Sequence, residues 1–172
     1  MTTGDLATRL KTASKRLAAL QPAVEAGAPW PLSENFGTEP EASWGPPETL
    51  AHVAEMLPFW LGEIERVVDG TGEPVPFGRI ATDQLRLLVL ERDRSLPPRE
   101  LFDRIAAGTD RVARRLKTLT ARDTSRLGVH PRRGEMTVPE IADSFIVSHL
   151  EEHAEQLATV VAAGPAQAPR GG

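Results

Sequence analysis

The apolar positions of this chain recur every three or four residues rather than every second one, and that spacing predicts helices. Leu6, Leu10, Ala13, Leu17 and Leu20 mark a first helix over 5–19, which gives way at Gln21-Pro22. Leu50, Val53, Leu57, Trp60, Leu61, Ile64 and Val68 form the stripe of a second helix over 47–68. It opens on Pro47, a residue suited to a first helical turn. Pro58 lies inside the stripe, where its ring removes one backbone bond and predicts a kink. Leu101, Ile105, Val112, Leu116 and Leu119 define a third helix over 99–119, behind Pro97-Pro98. The fourth has the clearest start. Thr137-Val-Pro-Glu140 reads as a capping box, with Thr137 capping and Glu140 reaching back, and the helix then continues to about Ala162. Strand signals are nearly absent, with no tyrosine and little apolar/polar alternation.

The connections differ from one another. Residues 22–47 hold Pro29, Pro31, Gly37, Pro40 and Gly45 and are expected to be irregular. They also carry Trp30, Phe36 and Trp44, too apolar for a solvated linker, so the loop should fold back on the helices. The simplest role for these aromatics is to plug one end of the core, although long structured loops are often functional. Residues 70–98 form a connection with a shorter helix over 82–94. The sequence therefore predicts an all-α fold in one domain over 1–163, followed by a Gly/Pro/Ala-rich, disordered tail over 164–172.

Composition narrows the function classes. The 172 residues are 40% hydrophobic and 26% charged, ordinary for a globular domain able to bury a core. The formal charge is -4, from 20 basic and 24 acidic residues without a basic block, so nucleic acid is not an expected partner. There is no cysteine, hence neither a disulfide framework nor a thiol nucleophile. Charges at Asp5, Arg9, Lys11, Lys15 and Arg16 interrupt the N-terminus, unlike a signal peptide, and no apolar run suits a membrane span. A cytoplasmic address is expected.

The chemistry lies in the four histidines. His149-Leu-Glu-Glu-His153 places two imidazoles one helical turn apart on one face, where both can reach one ion. Four randomly placed histidines produce such a spacing in roughly one chain of this size in fifteen, so the pair needs support. Leu150 stands where thermolysin-like zinc peptidases need glutamate. The inverted motif is matched by His149, Glu152 and His153, but it requires a distant downstream acid, and only Glu155 follows. A peptidase is thus disfavoured. His52, on the edge of the second helix's apolar stripe, is the natural third ligand, because bundle interiors build metal sites from facing helices. Three neutral imidazoles leave positions open for water or substrate, the pattern of a catalytic site. His130 is left over and reads as a solvated loop histidine.

Two stretches resemble the DinB/YfiT-like superfamily of metal-dependent enzymes. Trp44-Gly-Pro-Pro-Glu-Thr-Leu-Ala-His52-Val resembles its tryptophan, helix start and first metal histidine. Gly134-Glu-Met-Thr-Val-Pro-Glu-Ile, leading into His149-Leu-Glu-Glu-His153-Ala-Glu-Gln-Leu157, resembles its glycine turn and final helix. Asp93-Arg-Ser-Leu-Pro-Pro-Arg-Glu-Leu101 is similar to the start of its third helix. The resemblance implies a four-helix bundle of up-down-down-up order, with the short helix in the crossover. It also implies a divalent ion, zinc or nickel, on His52, His149 and His153, and a homodimer. Characterised relatives are similar to transferases or isomerases that use a low-molecular-weight thiol such as mycothiol, bacillithiol or glutathione on a small-molecule substrate. No cluster here can be assigned to a thiol, and the loop over 21–47 is longer and more Pro-rich than in the better-understood branches.

Glu55, one turn after His52, could orient a ligand histidine or act catalytically by taking a proton, against the plainer reading of a solvated carboxylate. Glu152 reads as solvated. Arg132 and Arg133 either meet an anionic substrate or belong to a solvated turn. Three readings stay open: a metal-dependent transferase or related enzyme, a metal-containing binding or stress-response protein without turnover, and a bundle with structural histidines.

Overall fold

A computed structural model describes residues 2–38, 40–80 and 83–165. In chain order, α1 (Thr3–Ala18) and α2 (Gln21–Ala26) lead through a 3₁₀ turn (Glu41–Ser43) to α3 (Pro46–Asp69). Strand β1 (Val75–Pro76) precedes α4 (Gln84–Asp93), α5 (Pro98–Thr118) and α6 (Ala121–Thr124). Strands β2 (Leu127–His130) and β3 (Gly134–Thr137) come next. The chain then runs through α7 (Val138–Ala142) and a π-helical turn (Asp143–Val147) into α8 (Ser148–Ala163).

The fold is mostly helical, and its long helices lie where the periodicity placed them. α1 starts with a reciprocal cap: the Asp5 amide donates to Thr2 Oγ1 at 3.1 Å, and the Thr2 amide donates to Asp5 Oδ2 at 2.9 Å. Its apolar stripe, Leu6, Leu10, Ala13 and Leu17, is buried against α5 and α8. α3 packs on the same two helices and buries Leu50, Val53, Leu57 and Ile64. Pro58 stands within α3 without ending it. At the other cap, Glu140 reaches back as the sequence predicts, its Oε2 accepting from the Thr137 amide at 2.7 Å, and the Thr137 hydroxyl donates to the same oxygen at 2.7 Å. The last helical region is divided, however, because the π turn separates α7 from α8. Arg9 of α1 clamps that junction, donating to Asp143 Oδ1 at 2.9 Å and to Glu151 Oε2 at 2.6 Å.

Three features depart from expectation. First, a small three-stranded sheet is present, with β1 parallel to β2 and β2 antiparallel to β3. The strands are two to four residues long, and the inward positions of β2 are Gly128 and His130, so no hydrophobic alternation announces it. Second, the stretch over 22–47 is partly ordered, by α2 and the 3₁₀ turn. Third, the short helix starts at Gln84, capped by the Asp83 carboxylate accepting from the Arg86 amide at 2.9 Å. Thr82, expected as its first residue, lies outside the described residues, as do 166–172 of the expected tail. Among the described residues, no helix is long and apolar enough to cross a membrane.

The Pro-rich loop folds back as expected, held by a buried ion pair. Glu48, fully buried, accepts from the Ser33 amide at 2.9 Å and from Arg94 Nη1 at 3.0 Å. Arg94 also donates to the Ser33 carbonyl at 2.9 Å and lies 4.6 Å over the Phe36 ring. Truncating Glu48 leaves the nearly buried Arg94 guanidinium with only the exposed Glu91 carboxylate, 2.8 Å from Nη2. Glu48→Ala should therefore destabilise the fold by about 3 kcal/mol, read as a shift of the urea midpoint. A shift equivalent to less than about 0.5 kcal/mol, the size of an ordinary surface substitution, would show that the pair does not anchor the loop.

Candidate metal centre

Three elements deliver four polar side chains to one point. His52 comes from the second turn of α3 and is 3% exposed. His149 and His153 come from the start of α8, one turn apart. Glu41 comes from the 3₁₀ turn of the Pro-rich loop. His52 Nε2 is 2.9 Å from His149 Nε2, which is 3.2 Å from His153 Nε2. Glu41 Oε2 lies 3.7, 3.7 and 3.9 Å from the Nε2 atoms of His52, His149 and His153. One ligand atom from each of the four lies within 4.8 Å of all the others.

The surrounding groups fix these orientations. Gln156, one turn beyond His153, accepts from His153 Nδ1 at 2.9 Å. Its amide donates to the backbone carbonyls of Glu41 at 2.7 Å and Trp44 at 3.2 Å, so one side chain ties α8 to the loop. Trp44 is buried and meets His52 edge-on, with ring centroids 5.6 Å apart. Buried Arg86 of α4 pairs with the Glu41 carboxylate and brings Nη2 to 3.3 Å from His52 Nδ1.

The donor chemistry fits a divalent cation. Burial pushes the pKa of His52 well below its ordinary value, aided by the neighbouring His153 and His149. Burial likewise lowers His149, against the pull of Glu41, and pushes His153 down to about 4. The rings are thus neutral near pH 7, each with a lone pair to give. We assign tautomers from the hydrogen bonds. His153 carries its proton on Nδ1, facing Gln156, and His52 on Nε2, because a guanidinium only donates. His149 Nε2 then accepts from His52, and the lone pairs of His149 and His153 face each other at 3.2 Å, an arrangement a shared cation relieves. Four tetrahedral donors at bond lengths of roughly 2.0–2.1 Å lie about 3.3–3.4 Å from one another. Five of the six separations lie at 2.9–3.9 Å and straddle that value, and all lie within 4.8 Å.

The structure thus brings together the three histidines singled out in the sequence. It does not bring in Glu55, which pairs with Arg79, while the carboxylate in the cluster is Glu41. Sequence reasoning missed Glu41 because loop residues have no periodic register. The only hint was a long loop with too many aromatics. Glu152 Oε2 lies 3.7 Å from His149 Nδ1 on a largely exposed side chain. His130 corrects its solvated reading: it is 6% exposed, within 4.9 Å of Phe145 and 5.5 Å of Phe77 between ring centroids. Gly78, at φ +85°, makes room for it, since a Cβ there would come within 2.5 Å of the His130 ring. A pocket of about 180 Å³ opens beside the centre, lined by His52 and His149 together with Trp60, Phe145 and Arg133.

A family model for the DinB superfamily matches residues 2–157, a span that includes every member of the cluster. The chain belongs to the DinB superfamily. No curated protein and no solved structure matches it. For this DinB-superfamily chain, the site's own geometry therefore carries the functional reading.

Lowered histidine pKa values link the centre to stability. The unfolded chain protonates these rings near pH 6.5, whereas the folded chain resists until about pH 4 at His153. The unfolded state then binds more protons, so the contribution is complete above pH 6.5 and is lost as the pH falls toward about 4. The expected slope is at most about 1.4 kcal/mol per pH unit for each ring, read from urea midpoints of metal-free protein. A flat profile across that window would contradict the buried, neutral assignment.

Proposed function

We propose that this chain is a metal-dependent enzyme whose divalent ion, zinc or nickel, is held by His52, His149 and His153. The observation supporting this is the convergence of three neutral imidazole Nε2 atoms with the Glu41 carboxylate on one spot beside a pocket. We read the long helices as a four-helix bundle of up-down-down-up order, with α4 in the crossover. The packing of α1 and α3 each against both α5 and α8 supports that reading. The exposed Leu85 and Leu88 of α4 are consistent with a homodimer.

The ion would supply Lewis acidity, lowering the pKa of a thiol or water brought to it so that the anion is available near neutral pH. The residues do the rest. Gln156 keeps the His153 proton on Nδ1 and its Nε2 lone pair inward. Ligation by His52 through Nε2 puts its proton on Nδ1, so the 3.3 Å contact from Arg86 must give way. Arg86 then retains Glu41, whose Oε2 can take the proton of an incoming thiol. Glu55 serves by holding Arg79 at the pocket wall. The thiol in this reading is a low-molecular-weight cosubstrate of the mycothiol kind, with which the lack of cysteine in the chain agrees. The activity is an S-transfer or isomerisation on a small electrophile.

One observation favours a second reading. Glu41 gives the cluster a fourth protein donor, and four protein donors are the pattern of closed, structural sites. A metal-holding protein without turnover would have that arrangement.

Untagged protein should carry, or accept on add-back, one equivalent of zinc or nickel. His149→Ala should weaken that binding by more than the roughly 10–100-fold typical of losing a supporting residue. Wild-type protein that neither carries nor accepts stoichiometric metal would remove both metal readings. For turnover, loaded protein should consume mycothiol, bacillithiol or glutathione in the presence of a chlorinated aromatic, measured as thiol loss. Full metal occupancy with no metal-dependent thiol loss would leave the non-catalytic reading.

A further inference from the structure

The pocket beside the imidazoles has more positive charge than its own acids neutralise. Three guanidiniums line it, those of Arg79, Arg86 and Arg133. Arg79 is paired with Glu55 and Arg86 with Glu41. Arg133 has no acidic partner among the described residues. Its guanidinium carbon sits 4.8 Å from the centroid of the Phe145 ring instead, a contact that leaves the N–H edge of the guanidinium available.

The walls are flat and apolar. Trp60 and Phe145 stack on each other with centroids 4.2 Å apart and planes 18° from parallel, and both line the pocket with Ile80. His130 also packs against both rings, 4.9 Å from Phe145 and 6.4 Å from Trp60 between centroids, so the wall is braced rather than loose. Ser144, from the π turn, adds a hydroxyl to the lining. A volume of about 180 Å³ exceeds the roughly 150 Å³ that holds one benzene in an engineered protein cavity. One six-membered ring bearing a small substituent is the size of molecule this admits.

We propose that the pocket binds a small, flat carboxylate, an aromatic ring carrying one carboxyl group, with Arg133 as the group that selects its charge. This deepens the proposed function by naming a substrate class, and it rests on that reading only for the claim that the bound molecule is a substrate. Because His52 and His149 line the same pocket, a ring held there shares space with the imidazoles. Arg132, the neighbouring cation, has its amide 3.2 Å from His130 Nδ1 and does not line the pocket.

Benzoate is the probe, titrated calorimetrically into metal-free and zinc-loaded protein at low and at high ionic strength. Benzoate should bind the metal-free form, and Arg133→Gln should weaken it at least about tenfold. Arg132→Gln should change it little, and benzyl alcohol should bind both wild type and Arg133→Gln alike. Arg133 is exposed, so the variant should keep the wild-type circular dichroism. Unchanged benzoate affinity in Arg133→Gln, equal weakening in Arg132→Gln, or acetate binding as tightly as benzoate would overturn the proposal. The two readings fail separately. Benzoate binding to a protein that takes no zinc sinks only the metal reading, and zinc binding without benzoate binding sinks only this one.

Discussion

Three imidazoles share one largely buried volume as neutral rings, and two of them turn their lone pairs toward each other. Everything around the centre answers to that constraint. Gln156 fixes where the His153 proton sits, Trp44 seals the His52 ring, and Arg86 holds Glu41 against the group. Further out, Glu48 and Arg94 secure the loop that carries Glu41, and Arg9 secures the start of α8. None of these contacts touches the point of convergence, yet each limits how far the donor atoms can drift.

The π turn couples the centre to the pocket. A π turn inserts one residue into the helical register, which rotates the residues beyond it by about 100° relative to an uninterrupted helix. Ahead of the turn, α7 faces the core with Val138 and Ile141. Within it, Ser144 and Phe145 reach the pocket. After it, His149 and His153 face His52. One chain segment thus contributes in turn to the core, the pocket wall and the histidine cluster.

Much of this was legible in the sequence, and the exceptions have physical causes. Helices announce themselves by period, so α1, α3 and α5 lay where their leucines placed them, and the i, i+4 pair of α8 fixed which two rings would meet. His52 followed from its place on the edge of the α3 stripe. Glu41 was invisible, because a loop side chain gains its position from long-range anchors such as Glu48 with Arg94. His130 was misread for a similar reason. It sits on a strand whose inward residues are a glycine and itself, and its burial comes from Phe77, Gly78 and Phe145, distant in the chain. Arg133 could be noticed as a loop cation, but only the ring beneath it distinguishes it from Arg132.

The centre is assembled across large sequence separations: 97 residues between His52 and His149, and 115 between Glu41 and Gln156. No fragment containing only one half of the chain owns more than two of the four donors. Any cation affinity of the cluster would thus belong to the completed fold, and by mass action an ion that favours the folded chain would shift the folding equilibrium with it. A cell's supply of free metal would then set how much of this protein is folded as well as how much is loaded.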